Sequence, residues 1–184
     1  LTTIALALAA MRLARSQVML HDMKSVETLA RVNVLCVDKT GTITEPKMEV
    51  EKIIPVNTST DNLAKNISIF AQNMPHDNAT IKAVADAFNQ KSNIRVKKII
   101  PFTSVNKYSG AVIDENTLLM GAPEFVLRDQ FKDYEKEINQ YTSQGYRVLA
   151  FAQYPEALED EKQKLSKEVE LLGYILISNP IRKE

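Results

Sequence analysis

Val34-Leu35-Cys36-Val37-Asp38-Lys39-Thr40-Gly41-Thr42 carries an apolar run straight into a carboxylate, and small, hydroxyl-bearing residues follow at once. A short Val/Leu run bounded by turn residues reads as a strand buried on both faces, and in open α/β sheets ligands gather beyond the carboxyl ends of such strands. Asp38 is therefore expected at the lip of a crevice. Gly41 permits a tight turn, and exposed amides together with the hydroxyls of Thr40 and Thr42 suit an anionic group. An aspartate that attacks a polyanion needs a cation and amide donors beside it, so the layout is that of a carboxylate nucleophile accepting a phosphoryl group. The plainer alternative is that Asp38 caps a turn and Lys39 is solvated.

The run sits in a chain of 184 residues, enough to bury a core as one domain or as a domain with part of another. Lys plus Arg number 23 and Asp plus Glu 23, so no global field attracts nucleic acid or acidic lipid. The one cysteine, Cys36, rules out an internal disulfide framework and, inside the apolar run, is expected to be a buried thiol in a reducing compartment. Neither His21 nor His76 has the neighbours a metal site needs. Upstream, Leu1 to Met11 is too short to span a bilayer and lacks the cationic start of a secretory signal, and Arg12 and Arg15 follow it. It is either an amphipathic helix or the cytoplasmic end of a membrane helix, the side that basic flanking residues suit. Val18, Met19, Met23, Val26 and Leu29 then recur at helical spacing over residues 16–31.

Downstream, Met48 to Ile54 alternates in part like an exposed strand, and Leu171 to Ile177 is a second apolar run stopped by Ser178-Asn179-Pro180. These two stretches are expected to be the paired strands or hinge through which an inserted domain leaves and rejoins its parent. Between them, a helix is expected after a cap at Thr60-Asp61-Asn62, with Leu63, Ile67, Phe70 and Ala71 on one face, and a second from Asn78 or Thr80. Strands are expected over residues 94–100, 110–113, 117–120 and 148–152, with Asp114-Glu115-Asn116 as a hairpin loop. Helices are expected from Glu124, from Phe131 to Tyr141 and, charged and exposed, from Glu156 to Glu170.

Three clusters of this interior suit a nucleotide. Phe102-Thr103-Ser104-Val105-Asn106-Lys107-Tyr108-Ser109 offers an aromatic face, hydroxyls and an ammonium at close spacing, which match a flat base with apolar faces and polar edges. Gly121 and Ala122 allow backbone to approach a ring, and Pro123 suits the first turn of a helix. Gly145 fits the left-handed position that ends a helix, and Arg147 can make planar, charge-assisted bonds to phosphate or ribose oxygens. Each has a blander reading: a core phenylalanine beside a solvated lysine, an ordinary strand-to-helix join, a surface ion pair.

Asp38-Lys39-Thr40-Gly41-Thr42, with Ile43-Thr44 behind it, resembles the phosphorylation motif of the P-type cation-transporting ATPases of the haloacid dehalogenase-like superfamily. Ser25-Val26-Glu27-Thr28-Leu29 is similar to the segment that precedes it in the light-cation branch, which includes calcium pumps. The string Phe102 to Ser109 resembles the family's Phe-x-Ser-x-x-Lys-x-Ser, in which the aromatic stacks on adenine and the lysine borders the pocket. Met120-Gly121-Ala122-Pro123-Glu124 is similar to its Lys-Gly-Ala-Pro-Glu, with Met120 in place of the lysine. Ile81 falls where many relatives carry a glutamate near the adenine amino group, and Asn179-Pro180-Ile181-Arg182 is similar to an Asp-Pro-x-Arg string with Asn179 in place of the acid.

The resemblance implies an α/β fold with an α+β insert: an antiparallel sheet flanked by helices, attached to an incomplete phosphorylation domain. It implies a membrane-helix end and linker over residues 1–31, the first part of the phosphorylation domain and hinge over 32–56, a nucleotide-binding domain over 57–167, and a return hinge over 168–184. Asp38, Lys39 and Thr40 would be catalytic, with the Asp38 carboxylate and the Thr40 carbonyl on Mg2+. Phe102, Ser104, Lys107, Gly121, Ala122 and Arg147 would hold ATP. The partners implied are ATP, a transported cation and the rest of the pump chain, actuator included, with no nucleic acid. Such a chain is the cytoplasmic part of an integral membrane protein, at the plasma membrane, and binds nucleotide weakly without turnover alone. Two rivals remain: a soluble phosphatase of the same superfamily, against which Thr40 stands where a general-acid aspartate belongs, and a non-catalytic ATP-binding module.

Overall fold

In this computed structural model residues 2–22 and 24–182 are described. They divide into two compact units, residues 1–38 and 39–184.

The first unit holds helix α1 (Thr2–Arg15) and the short helix α2 (Lys24–Leu29). α1 leaves Ile4, Leu8 and Met11 exposed, and no helix among the described residues is long and apolar enough to cross a membrane. The helical spacing expected over residues 16–31 is realised only in α2; residues 16–22 form a turn and irregular chain, and Met23 lies outside the described residues. The Asp22 carboxylate accepts from Lys24 N–H at 3.1 Å, satisfying an amide at the start of α2.

Residues 32–38 correct the first expectation. They form irregular chain with no strand pairing, and Val34 and Leu35 are 73% and 77% exposed, with Cys36 exposed beside them. A strand buried on both faces needs neighbours at its edges and cover on each side. All six strands of the sheet come from residues 49–178, and the described residues hold no further strand for this run to join.

The second unit is built on that sheet, whose strands are β1 (Glu49–Pro55), β2 (Lys98–Ile100), β3 (Tyr108–Ile113), β4 (Asn116–Gly121), β5 (Arg147–Tyr154) and β6 (Glu170–Ser178). Their order is β1-β6-β5-β4-β3-β2 and every pairing is antiparallel. Helices α3 (Thr60–Asn73) and α4 (Ala79–Ala87) cover one face; α5 (Pro123–Leu127) and α6 (Phe131–Ser143) cover the other. The strands explain why: along β5, Leu149 and Phe151 pack with Leu63, Ile67 and Phe70, whereas Val148, Ala150 and Ala152 pack with Val126, Leu127 and Ile138. Successive side chains point to opposite faces, so a strand covered on both sides must be apolar throughout. β6 alternates in the same way, and the edge of Phe70 packs against the ring of Phe151 with centroids 5.6 Å apart.

β1 pairs with β6 from Glu49 opposite Ser178 to Pro55 opposite Gly173, so the two stretches that flank the interior lie side by side. α3 is capped one residue earlier than expected: the Ser59 hydroxyl accepts from Asn62 N–H at 3.2 Å. α4 starts at the expected Asn78 cap. The strand expected over residues 94–100 is formed only by Lys98–Ile100, at the sheet's far edge.

No helix forms from Glu156 to Glu170. The segment is irregular and pinned by Leu158, Leu165 and Val169, all buried, while the Arg128 guanidinium donates to the carbonyls of Leu165 and Lys167 and Gln130 bonds both backbone groups of Val169. Backbone groups claimed by distant side chains are lost to a helix ladder.

Candidate functional site

A cavity of about 480 Å3 opens where β3 and β5 begin, β4 ends and α4 starts. Its lining draws Phe102, Lys107, Gly121, Ala122 and Arg147 from three separate segments of the chain. Five of the six expected nucleotide contacts therefore meet in one place, but Ser104 does not. It is exposed on a turn outside the lining, and Ser109, buried on β3, is the hydroxyl that reaches the cavity. The reason is local. Lys107 N–H donates to the Thr103 carbonyl at 2.9 Å and Asn106 N–H to the Thr103 hydroxyl at 3.0 Å, so residues 103–107 curl into a turn that carries Ser104 outward.

Lys107 leaves that turn with φ +57°, and its carbonyl accepts from Ala122 N–H at 2.9 Å. Gly121 makes this possible in a way the sequence did not suggest. A Cβ placed on it would stand 2.4 Å from the Lys107 carbonyl oxygen and 2.5 Å from Tyr108 Cα. Its missing side chain serves the close approach of backbone to backbone, with Tyr108 directly opposite in the sheet, and thereby fixes Lys107 at the cavity rim. Ala122 then caps α5, with Pro123 in the first turn as expected.

Phe102 is 53% exposed, a ring presented beside an open cavity and not locked in the core. Arg147 starts β5 after Gly145, whose φ of +91° ends α6 in the left-handed conformation. Its guanidinium lies 3.8 Å from the Met48 thioether, and the Thr80 hydroxyl approaches the same sulfur at 3.6 Å. Met120 and Ile81, the two departures from the family strings, are buried cavity walls at 3% and 4% exposure. Asn78, Thr80, Val148 and Leu149 complete the lining together with Ser109. Only the proximity of α4 to the strand ends brings in Asn78 and Thr80; no motif signalled them. Lys107 and Arg147 are the charged groups of the lining, so the cavity is cationic with largely apolar walls. Beside the cavity, burial raises the pKa of the Tyr108 phenol above its ordinary 10.

The other candidate residues fall in different units, Asp38 ending the first and Lys39 and Thr40 beginning the second. Asp38 is exposed at the end of the first unit. Lys39–Ile43 forms a single wide turn closed by Thr44 N–H on the Lys39 carbonyl, five residues back, at 3.1 Å. The Thr40 side chain lies outside the described residues. Thr44 is 2% exposed, and its hydroxyl accepts from Gly41 N–H at 3.4 Å and donates to the Lys39 carbonyl at 3.3 Å.

Arg182 secures this turn from the far end of the chain. Its guanidinium donates to the Gly41 carbonyl at 2.7 Å and the Thr44 carbonyl at 3.3 Å, and its backbone N–H donates to Ile43 at 3.0 Å. The Asn179 amide donates to the Lys47 carbonyl at 3.0 Å, a bond the aspartate of the family string could not make when ionised. Sequence reasoning gave Arg182 no role, although its string had been noted. Among the described residues no group of three His, Cys, Asp or Glu side chains could hold a metal ion.

No family model matches the chain. Among curated proteins it is 34% identical over 187 residues to the probable cation-transporting ATPase exp7 of Streptococcus pneumoniae, covering 100% of this chain and 23% of that protein. It is 33% identical over 155 residues to the calcium-transporting ATPase CtpE of Mycobacterium tuberculosis, covering 83% of this chain and 19% of the relative. The plasma membrane ATPase 2 of Saccharomyces cerevisiae is 28% identical over 174 residues, with 82% and 18% covered. The chain thus spans about a fifth to a quarter of these relatives. Among solved structures, a zinc-transporting PIB-type ATPase in the E2.Pi state superposes with a TM-score of 0.58 at 21% identity, over 87% of this chain and 24% of the other, a likeness of fold.

Proposed function

We propose, on the premise that this chain is a homologue of one segment of the P-type cation-transporting ATPases, that it is the part of a pump that holds ATP and presents the phosphoryl-accepting aspartate. The observation that carries the reading is the single cavity shared by Phe102, Lys107, Gly121, Ala122 and Arg147, with a half-exposed aromatic ring at its mouth. In this reading the base stacks on Phe102 against the apolar walls while Lys107 and Arg147 face the phosphates. Residues 57–167 act as an inserted nucleotide-binding domain, which the adjacent exit and return strands β1 and β6 support.

Asp38 then attacks the γ-phosphorus: a carboxylate oxygen forms the new P–O bond, the bond to the bridging oxygen breaks, and ADP departs with that electron pair. Lys39 supplies positive charge beside the carboxylate. Arg182 holds the Gly41, Ile43 and Thr44 carbonyls of the turn that also contains Thr40. Mg2+ demands six oxygens but usually takes only one or two carboxylates, filling its shell with water and substrate phosphate. One carboxylate and one carbonyl, Asp38 and Thr40, fit a magnesium that arrives with the nucleotide. Bound there it would neutralise the phosphate oxygens.

The parent protein in this reading is a membrane protein whose cytoplasmic part includes this chain and whose remaining segments move the cation. Calcium or another light cation is favoured by Ser25-Val26-Glu27-Thr28-Leu29 and by the likeness to CtpE. Titration of 15N-labelled chain with Mg·ATP should move the amide signals of Lys107, Gly121, Ala122 and Arg147 together, with a single weak affinity. Signals that stay fixed to millimolar ATP, or that move only outside the cavity, would overturn the reading. Steady ATP hydrolysis by the isolated chain would contradict the expectation that it needs its remaining segments.

A further inference from the structure

We propose that the cavity accepts 6-amino and 6-oxo purine nucleotides alike, so that its choice of base ends at the size of the ring system. This rests on the nucleotide reading above and concerns which edge of the base the walls can recognise.

The largest surfaces offered to a base are indifferent to its edges. Phe102 presents a ring face, and Ile81, Met120, Val148 and Leu149 present hydrocarbon and a thioether. Stacking and apolar contact scale with ring area, which adenine and hypoxanthine share. Discrimination between an amino and an oxo group needs a fixed donor or a fixed acceptor, left unpaired by the wrong base. Among the described lining residues none is acidic, so no side chain that only accepts is present to demand the amino group. The charged ones, Lys107 and Arg147, only donate.

The neutral polar side chains at the start of α4 supply one of each kind. Asn78 Oδ1 accepts from Ile81 N–H at 2.9 Å as the helix cap and its amide donates one hydrogen to Asp77 Oδ1 at 3.2 Å, so the second amide hydrogen is the donor Asn78 offers the cavity. The Thr80 hydroxyl is turned to the Met48 sulfur at 3.6 Å, so Thr80 offers the lone pairs of its oxygen as an acceptor. The adenine edge carries a donor at the 6-amino group and an acceptor at N1. Hypoxanthine carries an acceptor at the 6-oxo group and a donor at N1. A wall with one donor and one acceptor close together in the chain serves either edge by exchanging partners. A pyrimidine loses one of the two fused rings and with it stacking area on Phe102.

The test is a set of parallel titrations of the 15N-labelled chain with Mg·ATP, Mg·ITP and Mg·CTP, read at the cavity amides. ATP and ITP differ only at the 6-position and its neighbouring nitrogen. The expected result is dissociation constants for ATP and ITP within about fivefold of each other, with CTP at least about threefold weaker than ATP. An ATP preference above fivefold over ITP would overturn the inference while leaving the nucleotide site intact. CTP binding less than threefold weaker than ATP would overturn it as well. Cavity amides that respond to none of the three would overturn both this inference and the nucleotide reading on which it rests.

Discussion

Replacing Gly121 by alanine adds one methyl group, and the geometry fixes where it must go. The new Cβ would sit 2.4 Å from the Lys107 carbonyl oxygen and 2.5 Å from Tyr108 Cα. Unstrained contacts lie near about 3.5 Å, so β3 and β4 would have to part by about 1 Å at their cavity end. The atoms in the way are backbone, which cannot rotate aside as a side chain would. Overpacking of this kind costs about 2 kcal/mol, which for a chain of this length lowers Tm by about 4–8 °C. The same displacement draws the Lys107 carbonyl away from Ala122 N–H, a bond of 2.9 Å, and moves Lys107 off the cavity rim. Thermal melting followed by circular dichroism reads the first effect, and the Ala122 amide shift in an NMR spectrum reads the second. Gly121→Ala melting within about 1 °C of the parent chain with an unmoved Ala122 amide would refute the close-approach account.

Arg147 is exposed at the start of β5 and its guanidinium bonds no backbone group among the described residues, so Arg147→Ala should fold normally yet bind ATP about tenfold more weakly, from the loss of a charge-assisted contact. Adenosine, which carries no phosphate, should bind the two proteins equally in the same calorimetric titration. Ser59→Ala removes the cap of α3 and should cost about 1 kcal/mol in a urea titration without changing nucleotide affinity. The Lys167 ammonium, 2.7 Å from the Glu156 carboxylate, and the Tyr154 hydroxyl hold the pKa of Glu156 below its ordinary 4.5. Because the folded-state value is depressed, the stability this contact contributes is present above pH 4.5 and is lost as pH falls through the lower folded value. Glu156→Gln should therefore melt below the parent at neutral pH, with the gap closing on acidification below 4.5.

The sheet was legible in the sequence because its strands obey a rule that composition can express. Covered on both faces, β5 and β6 had to be apolar at successive positions, and they were recognised as such. Val34 to Val37 satisfies the same rule and is exposed. Burial belongs to a strand and its neighbours together, and a run of four residues carries no record of whether the neighbours are there. The segment 156–170 misled in the opposite way. Leu158, Leu165 and Val169 fall at helical intervals, yet Arg128 and Gln130, some 40 residues away along the chain, claim the carbonyls a helix would use. At the cavity, residue types that carry their own chemistry were readable: an aromatic ring, a lysine, an arginine after a glycine. What could not be read was direction, which the 103–107 turn decides by sending Ser104 out and leaving Ser109 in. Nor could the sequence reveal that Arg182 would reach back to Gly41 and Thr44, since a long-range bond from a side chain to a carbonyl leaves no periodic trace.

The central claim is that the base of a nucleotide lies against Phe102 inside the cavity walled by Met120. Intermolecular nuclear Overhauser effects, measured on the 13C-labelled chain with excess Mg·ATP, test it by touching the ligand itself. The account predicts contacts from the H2 and H8 protons of the adenine to the Phe102 ring and to the Met120 methyl group. Contacts to residues outside the cavity, or none to Phe102 at saturating nucleotide, would contradict it.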